Sequence, residues 1–470
     1  MRPFKFFLLL ATSLLINACK DPNPSSPNPQ PSSEVLEALS LISDDPNNEN
    51  GYCTGNSIVT DQAGNMYVFG YYFLSQGFGS VVLSSSPNLA PYLAKYDAKG
   101  EVVWAKTVGK NNEAMGYVQG YTYSMALSKT GELYIAGKMG AVAGFEKSKV
   151  TGDGSVFLAK YDTDGIFKWA KAADKRTSEF IAYGVAVDNQ GNASVTGAFK
   201  GKTTIDNISL QSALSKAGGV ESRDIFLARF DTRGALQWAR SAGGNEEDFG
   251  RNVTVDDQGN AYIIGNYGSL AEFGEGLKLG GEKAQPGVFV AKYDSKGIAQ
   301  WAKQTNIYDR SRAVEPDKLG NVYALSENMI IKMDNKGNTE WYKRLAMKAK
   351  ALAVRADGEV YLAGEFNKPI EMDGLKLTPE GGVVGTGYFY ARDICLAKIS
   401  SVGKLKVFKK DGGEGGETPE SVSVSSNGNV YLTGGVAPPV VNGIYFNAVL
   451  ANKTFKGRGY RAFIVRYKDL

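Results

Sequence analysis

Histidine is missing from all 470 residues. Its absence removes the usual general base near neutral pH, the Ser-His-Asp and Cys-His arrangements, and the commonest transition-metal ligand. Any catalysis would rest on carboxylates or lysine. Cysteine is almost missing too, and three thiols make no disulfide framework. Nor does charge of one sign dominate. The 53 basic residues face 49 acidic ones, a net +4 that falls to +2 once Arg2 and Lys5 leave with the leader described below. Without a concentrated basic face, nucleic acid is not an expected partner. No metal and no cofactor is expected either. What the chain does have is 56 glycines and 11% aromatics, the turn and packing material of an all-β protein.

Residues 1–18 read as a secretory signal. Arg2 and Lys5 precede the apolar run Phe6–Ile16, which is too short to span a bilayer, and Asn17-Ala18-Cys19 follows. The tail Leu15-Ile16-Asn17-Ala18-Cys19 resembles the lipobox of bacterial lipoproteins. The resemblance implies a diacylated Cys19 at the mature N-terminus, holding the protein on a membrane without a transmembrane helix. Residues 19–33 then form a lipid-bearing, disordered tether, because KDPNPSSPNPQPSS has almost nothing to bury. Lys20-Asp21 looks like the charged export tag of surface lipoproteins in the Bacteroidota. That likeness implies a lipid-anchored place on the outer membrane, at the cell surface.

Residues 34–470 are organised by two recurring phrases. One reads LAKYDTDGIFKWAK at 158–171 and returns at 93–106, 227–240 and 290–303, with weaker copies at Ile331, Leu396 and Ile464. It describes a strand, an Asp-x-x-Gly turn and a second strand. The other is a glycine, a polar residue and an alternating strand, at Gly64, Gly131, Gly191, Gly259, Gly320, Gly358 and Gly428. With the short strand before each glycine, every repeat has four strands, A to D. Seven such units predict a seven-bladed β-propeller of four-stranded antiparallel blades.

The chain ends sharpen that count. The last repeat stops after strand C, while residues 34–42 have a strand-D pattern with no strand C before them. Glu37 precedes Gly64 by 27 residues, as Trp104 precedes Gly131. The N-terminal strand is therefore expected to complete blade seven and close the ring, leaving a monomeric propeller without an open edge. The form Gly-Asn-Val-Tyr-x-x-Gly followed by Phe-x-Ala-Lys-Tyr-Asp-x-x-Gly-x-x-x-Trp-Ala-Lys resembles the bacterial seven-bladed β-propeller repeat family. It is matched best at 191–240 and 259–303, and Val407 stands where blade six would carry tryptophan. The resemblance implies fold and leaves function open, since propellers host binding, scaffolding and catalysis alike.

Candidate sites lie where the repeats are interrupted. The B–C connections at 71–91, 138–155, 198–224, 266–286, 365–392 and 435–461 are long and share one rim with the D–A connections, whereas only Ser326-Glu327-Asn328 joins strands B and C of blade five. Alternation at Leu277-Lys278-Leu279 and Leu375-Lys376-Leu377 suggests inserts that extend those strands. The residue eight before each glycine phrase should lie near the channel mouth: Asn56, Tyr123, Tyr183, Arg251, Arg312, Lys350 and Glu420. Arg251, Arg312 and Lys350 flank the short blade-five connection, with Tyr123 and Tyr183 opposite. Such groups could hold a carboxylate or phosphate and stack on a sugar; the bland alternative is salt bridges with Glu246, Glu247, Asp248 or Glu420.

Other features read as structure. Asp162-Thr163-Asp164-Gly165 is a hairpin turn rather than a calcium loop, and Glu246-Glu247-Asp248 an acidic surface loop. The five tryptophans pack between blades, and Cys395 is a buried thiol. Three functions remain in play: a non-catalytic surface lipoprotein binding an extracellular glycan or envelope protein, a hydrolase or lyase with a carboxylate-based site, and a structural envelope module.

Overall fold

The computed structural model describes residues 36–41, 51–84, 89–109, 124–138, 142–145, 148–151, 156–172, 179–215, 218–281, 284–305, 309–380, 392–413, 415–425, 427–437, 440–441, 444–445, 448–450, 453–455, 460–468 and 470. Cys19, the leader and the tether lie outside the described residues, as does Tyr123. The unit Val35–Leu470 contains seven four-stranded antiparallel sheets. Blade four is representative, with strands A to D at Phe249–Val255, Ala261–Tyr267, Gly287–Tyr293 and Ala299–Gln304. The A strands touch in sequence round the axis, and that of blade one (Tyr52–Thr60) meets that of blade seven (Gly416–Val424). Ile58 N donates to Ser421 Oγ at 3.2 Å across this seam. The chain is a seven-bladed β-propeller, with no helix among the described residues.

Closure follows the predicted register. The strand Leu36–Leu41 pairs with strand C of blade seven, Arg461–Tyr467. Glu37 stands opposite Arg466, just as Trp104 stands opposite Lys95 in blade one.

The repeated phrase turns out to be the fastening between blades. Each tryptophan indole donates to a carbonyl in the next blade's C–D turn: Trp104 to Thr163, Trp169 to Thr232, Trp238 to Ser295, Trp301 to Asn335 and Trp341 to Ser401. The ring also lies over that turn's glycine, where a Cβ on Gly297 would sit 2.7 Å from Trp238. The repeated lysine lies over the strand-B tyrosine, as Lys292 does over Tyr262 at 5.0 Å. Val407 breaks the series for a topological reason. Blade seven takes its strand D from the other end of the chain, so it offers no C–D turn for a blade-six tryptophan to cover. Trp238→Ala is expected to cost about 3 kcal/mol, read from the denaturant midpoint, whereas Val407→Trp brings no gain.

The long inserts depart from expectation. They do not prolong strands B and C but form two-stranded ladders of their own, such as Lys202–Ile205 with Ile208–Gln211 and Ile370–Met372 with Leu375–Leu377. In blades one, two, three, four and six the ladder packs against strand D, the strand farthest from the axis. The physical cause is apolar burial. Ile205 and Leu210 join the core of blade three, and Met372 that of blade six. Their tips also tie neighbouring blades: Asp206 pairs with Lys171 at 3.5 Å and Asp373 with Lys343 at 2.8 Å.

Candidate binding site at the channel mouth

The site begins with the last glycine of the glycine phrase. Gly265 faces Gly250 across the A–B ladder, and a Cβ there would overlap the Phe249 carbonyl oxygen. Close backbone approach at this point lets strand A carry one extra residue. The ladder skips from Gly250 to Asn252, leaving Arg251 as a β-bulge. The same skip occurs at Asn56, Tyr183, Arg312, Lys350 and Glu420. Six of the seven residues picked by spacing are thus bulge residues, and all six line one channel of about 800 Å³. A bulge re-aims its side chain, which is why these positions face the mouth and not a neighbouring blade.

Their electrostatics differ from blade to blade. The Arg251 guanidinium lies 4.6 Å from the Tyr183 ring centre and 4.3 Å from that of Phe249. Burial lowers its pKa, and the nearby Arg310 and Arg312 act in the same direction. Among the described residues no carboxylate is within salt-bridge range of Arg251. Tyr183 is therefore a neighbour of the cationic side, serving as its platform, rather than a group opposite it. Arg312 pairs with Glu327, from the short blade-five connection, and Lys348 also approaches Glu327 at 3.8 Å. Lys350 lies 3.7 Å from Glu365, which also takes Arg392 at 3.2 Å. Burial raises the Glu420 pKa, while Lys350 and Arg312 oppose the shift.

Arginine and lysine do converge, but Arg312 and Lys350 are partly neutralised by Glu327 and Glu365 rather than by the acids at 246–248. Sequence reasoning does not single out these two partners. Glu327 was legible in the short connection, and Glu365 directly follows a phrase-ending glycine. Stacked tyrosines add to the rim: Tyr52 lies 5.6 Å from Tyr71 and 4.8 Å from Tyr460 between ring centres.

The acidic loop is not a surface loop throughout. Asp248 is fully buried and accepts from Gly244 N at 2.7 Å and Gly268 N at 2.9 Å, beside the buried Asp224. Glu247 pairs with Arg223, and Glu246 accepts from Ser269 N at 2.7 Å. The boundary between blades six and seven repeats the buried pair, with Asp393 on strand C of blade six and Glu417 on strand A of blade seven. Asp162 accepts from Asp164 N and Ile166 N, closing a hairpin turn as read. Cys53 and Cys395 are free and buried, and burial pushes the Cys53 thiol up to about 12.

Residues 237–266 match the sequence model of the beta-propeller repeat family, a stretch that contains the Arg251 bulge. That stretch carries the beta-propeller repeat. An uncharacterised WD repeat-containing protein of Acanthamoeba polyphaga mimivirus is 26% identical over 171 residues, 34% of this chain, and the match spans 12% of that relative's length. Among solved structures, a protein of unknown function from Bacteroides caccae is 12% identical with a TM-score of 0.37, over 68% of this chain and 90% of that one. BamB from Moraxella catarrhalis is 12% identical with a TM-score of 0.40, over 92% and 100%. A luciferin-regenerating enzyme is 11% identical with a TM-score of 0.32, over 71% and 88%.

Proposed function

We propose that this protein is a non-catalytic binding lipoprotein of the cell envelope, held by lipid on Cys19 at the outer membrane surface. Its channel mouth takes an anionic group, carboxylate or phosphate, from an extracellular glycan or an envelope protein. One observation carries the reading. Arg251 is held over two aromatic rings, faces Arg310 and Arg312, and has no carboxylate partner among the described residues. A guanidinium oriented in advance and short of a counter-ion favours planar anions. Calorimetry with inorganic phosphate and a glycan array give the test. Arg251→Ala is expected to weaken binding about tenfold. Arg355→Ala, in an A–B turn on the opposite rim, leaves it unchanged. Failure of phosphate and every glycan to bind, or equal binding by both variants, would remove the proposal. Loss of fatty-acid labelling in Cys19→Ala tests the anchor.

A second reading has one observation in its favour. Glu315 and Glu420, two carboxyls whose pKa values burial raises, line the same channel, as a histidine-free hydrolase or lyase would require. Turnover of lactones or uronate polysaccharides that disappears in Glu420→Gln would replace the binding reading.

A further inference from the structure

Below the ring of bulges the channel wall is almost without charge. Three residues on from each bulge stand Val59, Ala186, Thr254, Ala353 and Ser423, and in blade five alone Glu315. The bulge at Arg312 resets the alternation, so that Ala313 and Glu315 line the channel while Val314 is fully buried in the blade. The other ionisable groups lining the channel are Tyr183, Arg251, Arg310, Arg312, Lys350 and Glu420, all at the mouth. Among the described residues Glu315 has one hydrogen bond, accepted from Thr254 Oγ1 at 3.4 Å, and no cation in salt-bridge range. A carboxyl placed in an enterable channel with so little to satisfy it is a receptor for a donor or a cation.

We propose that Glu315 is a second anchor of the same site: the ligand held at the mouth by its anion carries a protonated amine that reaches down to Glu315. This rests on the mouth reading. Arg312 and Glu315 are three residues apart on one strand, so the two charges of the ligand stand roughly 10 Å apart. The ligand is thus an elongated zwitterion. Burial holds the Glu315 pKa up at about 7, so an arriving ammonium ionises the carboxyl and binding at neutral pH releases a proton.

The full chain is titrated by calorimetry, in two buffers of different ionisation enthalpy, with 4-, 6- and 8-aminoalkanoates, octanoate, phosphate and 1,8-diaminooctane. Extended 8-aminooctanoate separates its charges by about 10 Å. It is expected to bind about tenfold more tightly than octanoate and the shorter amino acids, with proton release. The isosteric Glu315→Gln removes both the preference and the proton, while Arg251→Ala weakens octanoate and 8-aminooctanoate alike. Equal binding of octanoate and 8-aminooctanoate, or a preference that survives Glu315→Gln, would overturn the anchor and leave Glu315 as a partner of Thr254 only. Binding of 1,8-diaminooctane without octanoate or phosphate would overturn the mouth reading while keeping the carboxyl as an amine receptor, so the two failures are separable.

Discussion

Deletion of residues 34–42 is expected to turn a monodisperse protein into one that aggregates and melts at least ~10 °C lower. The strand Leu36–Leu41 supplies the outer ladder of blade seven. Without it the backbone of Arg461–Tyr467 becomes an unpaired edge, and Ala462, Phe463, Ile464 and Val465, all buried in the closed ring, lie on that edge. The energetic loss exceeds one ladder, because blade seven also seats blade one through Ile58 and Ser421. Light scattering after gel filtration and thermal unfolding give the readout, and a synthetic 34–42 peptide in excess should restore part of the lost stability. A monodisperse deletant with unchanged melting would show that the ring does not depend on this closure.

The second large effect is on pH. Burial raises the pKa of Asp224 to about 7, Asp248 to about 8, Glu417 to about 9 and Glu315 to about 7, from ordinary values of 3.8 or 4.5. In each buried pair the neighbouring acid pushes the same way, Asp224 on Asp248 and Asp393 on Glu417. Between those limits the folded state binds protons that the unfolded chain has released, so stability falls as pH rises. The contribution is whole below about pH 4 and gone above about pH 9, at up to about 1.4 kcal/mol per group per pH unit. Turn carboxylates work in the opposite sense lower down: hydrogen bonds from Arg355 hold Asp357 at about 2, and its stabilisation is lost only as pH falls towards that value. The melting temperature should therefore peak near pH 4 and drop by several degrees by pH 8. Glu417→Gln should flatten the alkaline side, raising the melting temperature at pH 8 more than at pH 5. Glu417 suits this test because both of its buried carboxyl oxygens lack a hydrogen-bond partner within the described residues. A curve that climbs from pH 5 to pH 8 would contradict the assignment.

The candidate site was half legible in the sequence. Counting eight residues back from each glycine phrase lands on Asn56, Tyr183, Arg251, Arg312, Lys350 and Glu420, and the structure makes each of them a bulge residue lining the channel. Spacing succeeds there because a glycine at Gly265 and an extra residue at Arg251 are one local event in a two-strand ladder. It fails for the charge balance. Whether Arg312 is free depends on Glu327, and whether Lys350 is free depends on Glu365, residues of the same blade at a repeat position that carries no acid in blades one to four.

The amino-acid sequence by itself determined the blade count, the strand order and the register of closure, since Asp-x-x-Gly turns and alternating strands are local and repeat without reference to the rest of the molecule. Only the tertiary structure decided that the inserts fold back on the outer strands, that Asp248 and Glu417 are buried beside other acids, and that Glu315 has no cation in salt-bridge range among the described residues. The buried acids arise where one blade packs on the next, Asp224 of blade three beside Asp248 ahead of blade four and Asp393 of blade six beside Glu417 of blade seven. Burial and counter-charge are set by that assembly, and no window of sequence contains it.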